Sequence, residues 1–234
     1  MVPKLVFKKN KKLDIINCYN AINGKSFGTY FKSFTEDFIK KIKDKPFEEV
    51  KEIIKEKIDF AYERDKERIE FVLKESEKGW MRINDEFFNR LEKIMKKKFL
   101  PKKITVYATV LGRCDYNYSL DDPFFKISIR SSPIPDTQIK TMMHEMMHFM
   151  FHWHYWDYCE KKIGKELTGH LKEALTFILN EEFNDIGGYE DKGYPMHREL
   201  RKKLTKIWRK DKDFETFLDK SINVMKRFKH KKRI

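Results

Sequence analysis

The chain has 234 residues, with 51 Lys and Arg against 37 Asp and Glu, for a formal net charge of +14. That length builds one domain with a substantial core, or a catalytic domain with a helical appendage, and the 38% charged fraction suits a mainly helical protein with long solvated faces. No apolar run reaches the roughly 18 residues a membrane span requires, and the three cysteines (Cys18, Cys114, Cys159) are too few and too scattered for a disulfide framework.

The first ten residues, Val2-Pro3-Lys4-Leu5-Val6-Phe7-Lys8-Lys9-Asn10 after the initial Met, lack the apolar core and cleavage site of a signal peptide. With the unpaired cysteines this leads to the expectation of a reducing, cytoplasmic location. A short helix is predicted to open at Phe34-Thr35-Glu36-Asp37 with Thr35 as its cap. A longer helix follows Pro46, with an apolar stripe of Val50, Ile53, Ile54, Ile58, Ala61 and Tyr62. A third helix spans residues 85–99 and carries Phe87, Phe88, Leu91, Ile94 and Met95. Beyond Pro101, residues 103–110 and 124–130 have the β-branched, alternating character of strands, separated by a loop containing Gly112, Asn117 and Asp121-Asp122-Pro123. These elements suggest two parts, residues 1–100 as an N-terminal helical region packed on the core and residues 101–234 as the core with C-terminal helices.

The next helix carries the most informative residues. Asp136 or Thr137 is a fitting N-cap, and Met142, Met143, Met146, Met147, Phe149, Met150 and Phe151 make the helix apolar nearly all round, so it is expected to be buried. Inside it lies His144-Glu145-Met146-Met147-His148. Residues four apart on a helix share a face, so both imidazoles can reach one ion, while Glu145 is placed to take a proton from water that the ion activates. Histidines and a glutamate in an apolar helix are costly to bury without partners, and a cation supplies one.

A catalytic zinc needs three protein ligands and an open position. The third is open to Glu173, on a helix after the break expected at Gly164, to His154, or to Glu166, His170, Glu181 and Glu182. His154 occupies the last position of the metzincin pattern HExxHxxGxxH. Phe151 stands where that pattern has its turning glycine, so the helix should continue and carry His154 about 9 Å further along the axis from His148. With Glu173-Ala174 downstream of HExxH, residues 104–184 resemble the gluzincin clan of zinc metallopeptidases, the thermolysin and aminopeptidase type. The resemblance implies an α+β, mainly helical fold: a zincin-like catalytic core with a small sheet packed on the HExxH helix, flanked by N- and C-terminal helices. It also implies a metal set of His144, His148 and Glu173 holding Zn2+. The strand at residues 124–130 would be the edge along which a peptide substrate lies. The chain departs from the clan at Phe177, one turn after Glu173, where related enzymes often keep an acidic residue that supports a ligand histidine. That carboxylate must come from elsewhere or be absent.

Donors for the oxyanion of peptide hydrolysis are sought in the segment 186–197, which holds Gly187, Gly188 and Gly193: Tyr189, Tyr194 and His197 are candidates, with Tyr194 and His197 preferred, and His170 is an alternative. Further helices are expected at residues 200–208 and 214–228. The resulting expectation is a zinc metallopeptidase acting on a peptide or protein, with Glu145 as general base. The alternative is a non-catalytic basic protein on a zincin scaffold that binds nucleic acid or an acidic partner. It would use clusters such as Lys96-Lys97-Lys98, Arg201-Lys202-Lys203 and the basic tail at residues 226–233. The sequence contains no zinc-finger, RNP or helix-turn-helix signature.

Overall fold

The structure is a computed structural model and describes residues 2–24, 34–130, 135–187 and 190–228. In chain order its elements are strand β1 (Lys4–Lys9), helices α1 (Lys11–Asn23), α2 (Glu36–Ile42), α3 (Phe47–Arg64), α4 (Lys66–Met81) and α5 (Asn84–Met95), and strands β2 (Lys103–Thr109), β3 (Tyr116–Asn117) and β4 (Phe124–Ser128). Helices α6 (Asp136–His154), α7 (Trp156–Leu175), α8 (Phe177–Glu182) and α9 (Asn184–Gly187) follow, then a 3-10 turn (Pro195–His197), α10 (Arg198–Asp211) and α11 (Phe214–Met225). The protein is therefore mainly helical with a small mixed sheet, consistent with α+β. Two compact units divide the chain. One comprises Lys4–Arg82 and Pro101–Thr141; the other comprises Met1–Pro3, Ile83–Leu100 and Met142–Ile234.

The first unit is built around the sheet, in the order β1-β2-β4-β3. β1 runs parallel to β2, with Lys4 opposite Lys103, and β2 runs parallel to β4, with Thr105 opposite Phe124. Parallel strands need long crossovers, and α1 to α5 occupy the one between β1 and β2. β2 accordingly buries residues on both faces, Ile104, Val106 and Ala108 as well as Thr105 and Thr109. α2 is capped by Thr35, whose hydroxyl accepts from the Phe38 amide, as predicted. α3 buries all of its predicted stripe except Ile53, which is exposed.

Three findings here correct or extend the sequence reading. β1 is an additional strand in a segment read only for a leader. β4 is covered along its first three residues: Phe124 and Phe125 pair with β3, and the Lys126 amide donates to the Asp115 carbonyl at 2.9 Å. α6 begins at Asp136, one of its two predicted caps, so that Asp136 is the first helical residue and the Pro135 carbonyl accepts from the Gln138 and Ile139 amides at 2.9 and 3.0 Å.

α1 docks through polar groups. The Tyr62 hydroxyl and the Val110 amide donate to Asp14 Oδ2 at 3.0 and 3.1 Å, and Asn17 Nδ2 donates to Thr109 Oγ1 at 3.0 Å. Burial raises the Asp14 carboxyl from 3.8 to about 6, although bonds from Thr109, Val110 and Tyr62 and the charge of Lys126 pull it down. Between pH 4 and 6 the folded state therefore holds a proton that the unfolded chain has released, so this group's contribution to stability falls as pH rises through that window. The rise from 3.8 to about 6 corresponds to about 3 kcal/mol. Asp14→Asn should gain stability relative to the native chain by up to that amount between pH 4 and 6 in urea denaturation. A pH-independent difference between the two would contradict this.

In the second unit, α6 from Met142 onward is sunk in the core, with Met142, Met146, Phe149 and Met150 fully buried. α11 packs on α5 and α7, and α10 packs on α7 and α11. α7 breaks at Gly164, whose φ of 78° and ψ of 162° only glycine adopts at low cost. The break separates residues 165–175 from the first half of the helix and sets their direction. A Cβ at Gly164 would meet nothing within 4 Å, so any cost of substitution is in the backbone itself. Gly164→Ala is expected to lower stability by about 1–3 kcal/mol, read as a lower urea midpoint; an unchanged midpoint would contradict the strain argument.

Candidate metal centre

The site is assembled within the second unit from α6, the C-terminal half of α7 and the segment before α10. His144 and His148 lie one turn apart on α6, with ring centroids 4.2 Å apart. Glu173 of α7 turns Oε2 toward both, 3.6 Å from His144 Nε2 and 3.3 Å from His148 Nε2. The three ligand atoms lie within 4.8 Å of one another. Bonds of about 2.0–2.1 Å to a tetrahedral ion separate its ligand atoms by roughly 3.3–3.4 Å, so two edges of the triangle already have a suitable size. His144, His148 and Glu173 are thus a group that could hold a metal ion.

Asp191 answers the question left by Phe177. Its Oδ2 lies 2.8 Å from His144 Nδ1, which directs the opposite nitrogen, Nε2, at Glu173. A carboxylate behind a ligand histidine fixes the tautomer and ring orientation. Asp191 is itself locked in place. Its amide donates to Asn180 Oδ1 and its carbonyl accepts from Asn180 Nδ2, at 2.7 and 2.9 Å, while Oδ1 accepts from the Gly193 amide at 2.8 Å. Buried Arg201 donates to the Asp191 carbonyl and to Thr176 Oγ1, and lies 3.4 Å from Asp191 Oδ1. Gly193 has a φ of 58°, and a Cβ there would come within 2.7 Å of Arg201 Nη1. A side chain would therefore push the turn off the guanidinium. On the other flank, Lys172 Nζ donates to Glu173 Oε1 at 2.7 Å.

The electrostatics call for positive charge where the histidine Nε2 atoms converge. Burial opposes protonation of His144, but Asp191 and Glu173 outweigh it and raise the imidazole to about 10. His148 is pushed down to about 3 by burial, reinforced by Lys172. Glu173 resists burial and stays well below the usual carboxylate range because of His148, His144 and Lys172, while Asp191 falls to about 2 against its own burial, chiefly through its bond to His144. A divalent cation can take over the positive charge that His144 otherwise carries, and the two-histidine, one-carboxylate donor set suits zinc. Glu145 is 6% exposed, and its charge adds to the pull on His144.

The other candidate ligands are engaged elsewhere. α6 runs unbroken through Phe151, and His154 Nε2 lies 2.9 Å from the Lys98 carbonyl. Glu181 forms a two-pronged pair with Arg209, Glu182 meets Trp208 and Lys212, and Glu166 is exposed. His170 pairs with His197, Nδ1 to Nε2 at 2.8 Å, and Tyr194 sits edge-on to His197 with centroids 5.8 Å apart. The preferred oxyanion candidates thus form a second cluster with His170. Tyr189 and residues 229–233 of the basic tail lie outside the described residues. Sequence reasoning missed Asp191, Arg201, Asn180 and Lys172. Of these, Asp191 had a local signal, the Asp-Lys-Gly turn in which a carboxylate accepts from the amide two residues on.

Comparison with known protein families, characterised proteins and solved structures gives no match to any of them. Among the described residues no helix is long and apolar enough to cross a membrane.

Proposed function

We propose that this protein is a zinc-dependent peptidase with a zincin-like, gluzincin-type core. The observation that carries the proposal is the convergence of His144, His148 and Glu173 beside Glu145 on a buried helix. Zinc held there would supply Lewis acidity and lower the pKa of water to about 7. Glu145, one residue from the first ligand, accepts the proton of the attacking water and delivers it to the leaving amine. Asp191 holds His144 by Nδ1, and Lys172 holds Glu173 by Oε1. Tyr194 is half-buried and keeps the role of oxyanion donor, whereas His197 is enclosed against His170 and supports the loop that carries Tyr194.

A cytoplasmic setting is part of the proposal. Cys18 and Cys159 are buried free thiols, both raised to about 12, first by burial and then by neighbouring aspartates. The test is cleavage of a peptide library by zinc-loaded protein beside Glu145→Gln. Cleavage lost in the variant supports the reading. No cleavage by either, together with salt-sensitive binding of nucleic acid that survives zinc removal, supports a basic binding protein instead.

A further inference from the structure

Lys172 has no role in the motif, yet it is buried beside the ligand Glu173. Consecutive side chains on a helix point about 100° apart and do not ordinarily face each other. Here Lys172 nevertheless donates to its immediate neighbour at 2.7 Å, with both side chains less than a tenth exposed. Lys161, Lys162 and Lys165 on the same helix are exposed, so a lysine stem from α7 can reach solvent, and that of Lys172 does not. Burying an ammonium is costly unless its partner is well placed. The two oxygens of Glu173 divide the partners: Oε1 takes the lysine at 2.7 Å, while Oε2 lies 3.3 and 3.6 Å from the two Nε2 atoms.

We propose that Lys172 is a positioning residue that occupies Oε1 of Glu173, so that the carboxylate offers a metal ion only Oε2. The inference rests on the metal centre proposed above. A carboxylate can ligate through one oxygen or both, and a hydrolytic zinc with three protein ligands needs a position left open. The Lys172 bond closes the two-oxygen mode without adding a ligand, and it fixes the rotation of the carboxylate about its last torsion.

The test is the coordination number of the metal-loaded full chain, read by X-ray absorption at the zinc edge and by the visible spectrum of the cobalt-substituted protein. The native chain should show a single carboxylate oxygen on the metal. Lys172→Met, which removes the donor, should add one oxygen to the shell and weaken the cobalt bands. Lys172→Arg, which restores a cationic donor, should return both toward the native values. A native protein with two carboxylate oxygens on the metal overturns the proposal without any variant, so it stays testable should the Met variant fail to fold. A folded Met variant that holds one zinc with native coordination overturns it equally. Metal bound as described but no peptide cleavage removes the peptidase reading and leaves this one standing; a native chain that takes no metal removes both.

Discussion

Glu145→Gln should lower peptide hydrolysis by about 10²–10⁴-fold, or about 2.7–5.5 kcal/mol of transition-state stabilisation, while zinc content stays near that of the native chain. The substitution preserves shape and removes only the capacity to accept a proton. Glu145 is outside the ligand group, so the metal centre should survive. The size of the effect identifies the role. A tenfold loss or less would mean that Glu145 merely shapes the pocket, and hydrolysis at the native rate with zinc in place would remove the proposed chemistry altogether. Loss of both zinc and activity would instead make Glu145 a structural support of the centre.

Asp191→Asn should weaken zinc binding by about 10–100-fold, the cost usually seen when the outer partner of a ligand histidine is lost. Asparagine can keep the turn, because its oxygen still accepts from the Gly193 amide. Its amide group, however, then faces His144 Nδ1, now 2.8 Å from a carboxylate oxygen. A donor in that place favours the tautomer with its proton on Nε2, the nitrogen the metal needs. The bonds of Asn180 to the residue 191 backbone are unaffected by the change, which limits the structural disturbance. Zinc affinity by chelator competition is the readout, with thermal unfolding as the control for folding. Unchanged affinity in a folded variant would show that the orientation of His144 is set elsewhere.

Periodicity made legible what depends on local pattern. The apolar wrap of α6 announced a buried helix, the HExxH spacing placed two imidazoles on one face of it, and Phe151 in place of glycine correctly denied His154 a turn back toward them. Thr35 and the Val50–Ile54–Ile58 stripe marked α2 and α3 in the same way. What escaped depends on distant partners or on polar groups inside the core. α1 buries Asp14 and Asn17, and α4 buries Ser76 and Gly79, so neither shows a clean apolar stripe. β1 has only Leu5, Val6 and Phe7 between charged ends and becomes a strand by pairing with β2 a hundred residues away. Lys172 reads as one more solvated lysine until Glu173 is seen beside it. Asp191 is 47 residues from His144 and is brought to it by Arg201 and Asn180, which no spacing rule encodes.

The proposed chemistry requires that His144, His148 and Glu173 bind one metal ion. Metal content of the purified chain by mass spectrometry, beside His148→Ala and Glu173→Ala, tests it most directly. About one equivalent of zinc per native chain is expected, as for a single catalytic site, with its loss from both variants. No metal in the native protein after reconstitution, or zinc retained equally by both variants, would contradict it.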